Sequence, residues 1–258
     1  MFARFRIVLC TTTHPGNIGA AARAMKTMGF TRLTLVTPRH FPDPEASARA
    51  SGADDILAHA QVCHTLNEAL QGVTLSVGLT ARRRDLSHPM LPIRELAATL
   101  PEETSSGGEI ALVFGTEMSG LSNAELDACQ RLAHIPTDPN FGSLNLAAAV
   151  QLVCYEIRQA LLQDRGPQAR EYPLATHDEL ERFYAHLERV LLSSGFLDPD
   201  HPGRLMIRLR RLFSRARVER EEVSILRGIL RTLYPSDDGS TPLIDRNVPH
   251  AGTHSRTN

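Results

Sequence analysis

The sequence has few cysteines, and their spacing argues against a disulfide framework or a metal site. The 258 residues include four cysteines, Cys10, Cys63, Cys129 and Cys154, which lie far apart and form no C-x-x-C pair. We expect reduced thiols within an apolar core. The eleven histidines form no H-E-x-x-H or Cys/His cluster with zinc spacing, so no metal is expected.

Long apolar runs are also missing. The run LAAAVQLVCY, residues 146–155, is too short to span a bilayer, and RIVLC near the start is too short for the apolar region of a signal peptide. With 42% hydrophobic residues, a chain of this length can bury a substantial core. These features predict a soluble, cytoplasmic protein with no membrane partner, and nothing indicates an obligate protein partner.

The chain also lacks a strong overall charge. Its net charge of −1 argues against a uniformly basic nucleic-acid binder, and no G-x-x-x-x-G-K-[ST] phosphate loop occurs. The distribution is uneven, however. Nine arginines lie between positions 204 and 231, against Glu219, Glu221 and Glu222. The whole-chain balance therefore conceals one basic segment.

Short apolar runs alternate with helical patterns in the first part of the chain. This alternation predicts an α/β fold whose parallel sheet carries helices on both faces. The predicted strands are residues 6–10, 32–36, 73–79, 109–115 and 133–136, and the predicted helices are 18–28, 65–70, 93–100, 123–130 and 143–163. Ligands of such sheets bind beyond the carboxyl ends of the strands.

Composition divides the chain into four parts. We predict a main domain over residues 1–163, a polar Gly- and Pro-containing linker over 164–174, a small helical domain over 175–234 and a disordered tail over 235–258. Thr176 to Glu179 fits a capping box, a last helix is predicted over 221–233, and the helix after the capping box has an apolar stripe of Leu180, Phe183, Leu187, Val190 and Leu191. The next predicted helix, 202–217, has Leu205, Leu209, Leu212 and Phe213 on one side and arginines on the other; these are Arg204, Arg208, Arg211 and Arg215.

One arginine follows a Gly-Asn turn within a run of small residues, in HPGNIGAAARAM (residues 14–25). Helical spacing places Arg23 opposite the apolar stripe, so it could simply face solvent. Long helical side chains also lean toward the N-terminus, which would bring its guanidinium toward Gly19 and Asn17 and create an anion-binding corner. The segment alone leaves both interpretations open.

Two further segments are rich in glycine and polar residues. In FGTEMSGLSNAEL, residues 114–126, Gly115 ends a predicted strand and Glu117 could bind a ligand or a loop amide; a plain turn with a helix cap at Ser122 is the simpler alternative. In IPTDPNFGSLNLAAAV, residues 135–150, Ser143 or Asn145 opens a helix, and an ordinary N-cap would explain either.

Taken in order, these segments resemble a known family. The set N-x-G-x-x-x-R at Asn17 to Arg23, F-G-x-E-x-x-G-L from Phe114, and Ile135-Pro136 followed by S-L-N-L from Ser143 resembles the SpoU class of SPOUT methyltransferases. Within that class the chain is most similar to enzymes that methylate a pyrimidine ribose at the start of the tRNA anticodon loop, position 32. ARRRDLSHPML (residues 81–91) and HPGRLMIRLRRLFSRAR (residues 201–217) carry that closer similarity.

The resemblance implies features that patterns cannot supply. These are a carboxy-terminal trefoil knot, a homodimer, S-adenosyl-L-methionine as methyl donor and a tRNA 2'-hydroxyl as acceptor. It implies a catalytic set of Asn17, Arg23, Glu117, Ser143 and Asn145. It implies a cofactor site formed by Leu79, Thr80, Ala81, Gly115, Ile135, Gly142, Ser143 and Leu144. Relatives usually have a small hydroxyl residue in place of Leu79 and often a serine in place of Gly142.

Arginine cannot serve as a general base at ordinary pH, because its guanidinium stays protonated. We therefore expect Arg23 to hold a phosphate and to stabilise charge on the 2'-oxygen, with Asn17, Ser143 and Asn145 fixing its direction. Further RNA contacts are expected from Arg82 and Arg84 and from the arginine side of the helix over 202–217.

Three alternatives accompany this interpretation. The first is the same chemistry on ribosomal RNA or another tRNA position, and the second is an RNA-binding protein without catalysis. The intact set of polar residues argues against the second. A dinucleotide-binding oxidoreductase rests only on the glycines of HPGNIG and lacks G-x-G-x-x-G.

Overall fold

A seven-stranded, all-parallel sheet forms the centre of the computed structural model, which describes residues 1–81, 90–105, 107–162 and 172–234. The strands are β1 (Phe5–Cys10), β2 (Arg32–Val36), β3 (Gln61–Cys63), β4 (Leu75–Leu79), β5 (Met90–Pro92), β6 (Ile110–Phe114) and β7 (Arg131–His134). Their order across the sheet is β3-β2-β1-β6-β4-β7-β5. The predicted α/β class with a parallel sheet is confirmed, whereas the knot stays a prediction.

Helices cover both faces of this sheet. A first group comprises α1 (Pro15–Thr27), α2 (Pro44–Ala50), α3 (Asp54–Ala58), α5 (Ile93–Ala97), α6 (Leu100–Ser105) and α8 (Leu146–Leu162); the opposite face has α4 (Leu66–Ala69) and α7 (Asn123–Asp127). Alternation along β1 explains the two cores. Phe5, Ile7 and Leu9 pack in the first core, and Val8 and Cys10 pack in the second.

The first helix begins earlier than predicted, because Pro15 occupies its first turn, where a missing N–H costs nothing. At its other end Lys26 binds the carbonyl of Gly52 and the carboxylate of Asp55 at 2.9 and 2.7 Å, which ties α1 to α3. The four cysteines are free, as predicted. Among the described residues, no helix is long and apolar enough to cross a bilayer.

A small helical unit follows, formed by α9 (His177–Ser193), α10 (Leu205–Ala216) and α11 (Arg220–Leu233). The predicted capping box at Thr176 and Glu179 is present, and Leu180, Phe183 and Val190 are buried as the α9 stripe predicts. The apolar side of α10 is only partly covered. Leu212 is 48% exposed, because only part of the apolar side of α10 packs against α9.

The helical unit lies against the amino ends of the strands. The N–H of His177 donates to the Val73 carbonyl at 2.6 Å, and Arg217 donates to the Thr74 carbonyl at 3.0 Å, both just before β4. Arg217 also forms an ion pair with Glu103, which is only 2% exposed and lies 3.3 Å from Arg131. Buried charges thus join the two parts of the chain.

Candidate active site

Four neighbouring strands direct their carboxyl ends to one edge of the sheet. β1, β6, β4 and β7 are adjacent and parallel, so the loops that follow them converge. These loops begin at Thr11, Gly115, Thr80 and Ile135. All three motif segments of the sequence therefore meet at this edge, together with the end of β4.

Glu117 is the centre of a hydrogen-bond cluster that joins the loop after β6 to the start of α1. Its Oε2 accepts from the N–H and the hydroxyl of Thr13 at 3.1 and 2.9 Å, and its Oε1 accepts from the N–H of His14 at 3.2 Å and from Nδ2 of Asn17 at 3.0 Å. A carboxylate has about four lone-pair positions, so these donors saturate it. Glu117 consequently acts here as a positioning residue.

The ionisation of Glu117 follows from these contacts. Partial burial raises its pKa, but hydrogen bonds from Asn17 and from the N–H groups of Thr13 and His14 outweigh burial and lower the pKa to about 2. The group is therefore an acceptor throughout the neutral range. It cannot take up a proton there as a general base.

Asn17 links this cluster to the third segment. Its carbonyl oxygen accepts from Nδ2 of Asn145 at 3.0 Å, while Oδ1 of Asn145 accepts from the N–H groups of Ala147 and Ala148. Asn145 therefore caps α8, as one of the two predicted residues, and uses its amide at the same time to hold Asn17. Three of the five predicted catalytic residues thus form one connected chain: Asn145, Asn17 and Glu117.

A cavity of about 340 Å³ opens beside this chain. Its lining includes all eight residues of the expected cofactor site: Leu79, Thr80, Ala81, Gly115, Ile135, Gly142, Ser143 and Leu144. Glu117 and Met118 complete one wall. The cavity is of the size that proteins use for small ligands, and its walls mix apolar side chains with loop polar groups.

The backbone is tightly packed at Gly115. A Cβ atom there would lie 2.1 Å from the carbonyl carbon of Gly120 and 2.2 Å from the nitrogen of Leu121. The loop therefore folds back on itself at a distance that only glycine allows. Thr116 and Gly120 close this turn of the loop through two mutual backbone hydrogen bonds. The turn brings Glu117 and Met118 to the cavity.

The structure does not join Arg23 to these residues. Its side chain is exposed on α1, and within the described residues it has no hydrogen bond to the cavity loops. The expectation that Asn17, Ser143 and Asn145 fix its direction therefore finds no support in a single chain. Ser143 is exposed at the cavity and is not part of the Asn145–Asn17–Glu117 chain. Arg82 and Arg84 lie outside the described residues.

The arginines of α10 differ in whether they form an ion pair within the described residues. Arg210 forms an ion pair with Glu181 and stacks on the ring of Tyr184, so it belongs to the packing of the helical unit. The predicted contact residues differ from it. Arg204, Arg208 and Arg215 are exposed, Arg211 is half-buried, and none of the four forms an ion pair within the described residues.

Sequence reasoning missed several residues of this site. Thr13 and His14 anchor Glu117 through their N–H groups, which no side-chain pattern reveals, and Thr13 adds its hydroxyl. Met118 and Phe141 are apolar yet 88% and 85% exposed on the loops around the cavity. A large apolar side chain inside a polar Gly-rich segment was the one available signal.

Comparison with known proteins identifies the family of this chain. The model of the SpoU rRNA Methylase family matches residues 4–155, which is more than half of the chain and includes all of the cavity loops. The chain therefore belongs to the SpoU methylase family. Residues 178–241 match a second model, described as the tRNA methyltransferase TrmJ, C-terminal domain.

Relatives within the family bear the name TrmJ. A tRNA (cytidine/uridine/adenosine-2'-O-)-methyltransferase TrmJ from Pseudomonas aeruginosa is 52% identical, over 89% of this chain and 93% of that protein. A tRNA (cytidine/uridine-2'-O-)-methyltransferase TrmJ from Cronobacter sakazakii is 48% identical, over 92% and 98%. The crystal structure of TrmJ from Z. mobilis superimposes with a TM-score of 0.77 at 34% identity, over 88% of this chain and 98% of that one.

Proposed function

We propose that the protein transfers a methyl group from S-adenosyl-L-methionine to the ribose 2'-hydroxyl of the pyrimidine that opens the tRNA anticodon loop, position 32. The main support is the convergence of three distant segments on one cavity, through the hydrogen-bonded chain Asn145–Asn17–Glu117. The names of the TrmJ relatives support the choice of tRNA and of the 2'-oxygen.

The cavity suits this methyl donor. Leu79, Ile135 and Leu144 offer apolar contact for a purine ring, and the loops beside them offer backbone groups and the hydroxyls of Thr80 and Ser143. Leu79 departs from the family's hydroxyl residue. Because this position ends β4, its backbone groups reach the cavity edge whatever its side chain is.

The sulfonium of the donor supplies an electrophilic methyl group, and the protein has to orient the attacking oxygen in line with it. We assign this orientation to the saturated cluster around Glu117, which holds Asn17 and the start of α1 in one geometry. Arg23 binds the phosphate beside the target ribose and stabilises the developing charge on the oxygen, since its guanidinium cannot accept a proton. The products are S-adenosyl-L-homocysteine, the 2'-O-methylated ribose and the hydroxyl proton, which solvent water takes up.

We further propose a homodimer. The exposed side of α8 carries Leu152, Tyr155 and Leu162 at helical spacing, with exposures of 40%, 43% and 58%. α8 packs beside α1, whose exposed side includes Arg23. A second copy placed on this surface would bury the apolar stripe and bring an Arg23 toward a neighbouring cavity. Tyr155→Glu should produce monomers in light scattering and abolish methyl transfer; an active monomer would exclude this part of the proposal.

One assay tests the function. Unmodified tRNA transcripts with cytidine, uridine or adenosine at position 32 are incubated with methyl-labelled donor, and the labelled nucleotide is mapped. Label on the ribose of cytidine or uridine at position 32 supports the proposal. Label on a base, on ribosomal RNA alone or nowhere contradicts it. Arg23→Lys keeps the charge but loses the planar fork, so we expect a large loss of methyl transfer with donor binding unchanged.

A further inference from the structure

A second basic surface lies between α9 and α11, away from the arginines of α10 that the sequence singled out. It consists of His186 and Arg189 on α9 and of Arg227 and Arg231 on α11. We call these four residues the α9/α11 patch. Arg189 and Arg231 are exposed, while His186 and Arg227 are half-buried.

Ion pairing within the described residues separates the patch from the rest of α11. None of its arginines forms an ion pair there, in contrast to Arg220, whose Nε binds Oε1 of Glu179 at 2.8 Å. Nε of Arg227 and Nδ1 of His186 are both buried and have no hydrogen-bond partner in the part of the chain that the structure describes. Two polar groups at the centre of the patch are thus left unsatisfied.

The patch also contains like charges that repel one another. Burial lowers the pKa of His186, and the positive charges of Arg189, Arg227 and Arg231 lower it further. Arg227 and Arg231 also stand four residues apart on one side of α11, where like charges repel. An arrangement that costs the free protein stability indicates an anionic ligand that offsets the repulsion.

We propose that the α9/α11 patch binds the phosphate backbone of the RNA substrate. The inference rests on the proposed function for the identity of that RNA. Guanidinium groups form two parallel hydrogen bonds to a phosphate, and a cluster that contains three arginines fits such a ligand. Phosphate contacts of this kind fix the position of an RNA without reading its sequence.

The position of the helical unit defines what the patch can do. This unit is attached at the amino ends of the strands, by the bonds of His177 to Val73 and of Arg217 to Thr74, whereas the cavity lies at the carboxyl ends. A five-residue strand spans about 17 Å. The patch therefore binds phosphates remote from the cavity of the same chain, and its loss should weaken binding without changing the chemical step.

The experiment uses the full chain and unmodified tRNA, with the dissociation constant measured over a range of KCl concentrations. Arg227→Gln combined with Arg231→Gln should weaken binding at least tenfold and lower the slope of log K against log salt by about 2, one for each phosphate contact. At saturating tRNA, kcat should stay unchanged. Replacement of both arginines by lysine should restore most of the slope, because it restores the charge.

Arg220→Gln is the matched control. Arg220 lies on the same side of α11 but is already ion-paired, so its loss should change neither the slope nor the affinity by more than about twofold. A double Gln variant that melts like the parent and binds tRNA with the parental affinity and slope would overturn the proposal. So would an equal loss in the Arg220 variant, or a loss of binding to vesicles of anionic phospholipid with tRNA binding unchanged.

A failure of the proposed function can be distinguished from a failure of the patch proposal. In the first case the unmodified chain would transfer no methyl group to tRNA. If it does transfer one, and the double variant binds equally well, only the patch is refuted.

Discussion

Asn145 donates its side-chain amide to the side-chain carbonyl of Asn17 across 3.0 Å, although 128 residues separate the two in sequence. Each asparagine also has a second partner: Asn145 caps α8, and Asn17 binds Glu117. The starts of two helices and one loop are therefore held in a fixed relation. The geometry of a site built this way depends on bonds between protein groups as much as on contacts with a ligand.

Asn145→Ala should remove both functions of this side chain. We expect a loss of about 1 kcal/mol of stability from the missing cap and about a 100-fold loss of kcat from misplacement of Asn17. Thr65→Ala removes the comparable cap of α4, whose hydroxyl accepts from the N–H of Glu68, far from the cavity. Urea unfolding and single-turnover kinetics should separate the two variants, and equal kinetics would refute the role of Asn145.

The carboxylate of Glu117 predicts a particular dependence of stability on pH. Its folded-state pKa of about 2 is below its ordinary value of 4.5, so the ionised form is favoured by folding. The stability it contributes is complete above about pH 4.5 and is lost as pH falls from there toward 2. Comparison of urea unfolding for the parent and Glu117→Gln at pH 7 and pH 3 tests this. The difference between the two should shrink at pH 3; a constant difference would contradict it.

Two glycines should respond in opposite ways to alanine. A Cβ at Gly19 would lie 1.9 Å from the carbonyl oxygen of Ala46, at the contact of α1 with α2, so Gly19→Ala should destabilise by about 3 kcal/mol. Gly228 lies inside α11 with nothing within 4 Å of its added Cβ, so Gly228→Ala should stabilise by up to about 1 kcal/mol. Denaturant midpoints of the two variants should move in opposite directions.

Glu103 should be essential to the attachment of the helical unit. Glu103→Gln removes the ion pair between Glu103 and the Arg217 side chain, which is 8% exposed, and we expect this to cost about 3 kcal/mol of stability. Amide exchange should accelerate throughout α9, whereas donor binding at the opposite edge should be unchanged. Glu95→Gln, at an exposed position on α5, is the control and should exchange like the parent.

Strong hydrophobic periodicity made the main elements predictable. The strands at β1, β2, β4 and β6 and the helices α1, α8, α9, α10 and α11 were found within a few residues, because each buries a continuous apolar run or stripe. Among the short elements, β7, α4 and α7 were predicted within a few residues, whereas β3, β5, α2 and α3 were missed. β3 is largely exposed and has three residues, β5 has three, and α2 and α3 carry small or acidic residues; tertiary packing rather than local pattern forms them.

One predicted helix, residues 93–100, was wrong in its extent. The chain forms α5 and then a new helix from Leu100, because Pro101 fits the first turn of a helix and cannot continue one. The site residues, too, were predictable only where a local motif marks them. The motifs identified the residues around the cavity, but the bonds of Glu117 to Thr13 and His14 join backbone groups about 100 positions away, which a single sequence does not encode locally.

Lys26 gives the molecule one further property. It is the sole lysine in the sequence, and its ammonium is half-exposed even while it spans from α1 to Asp55. Reagents that acylate or reductively alkylate amines therefore have a single side-chain amine to modify, which lies one turn beyond Arg23. A donor and an acceptor fluorophore coupled there on separate copies would report, through energy transfer, the distance between the two α1 helices of the proposed homodimer.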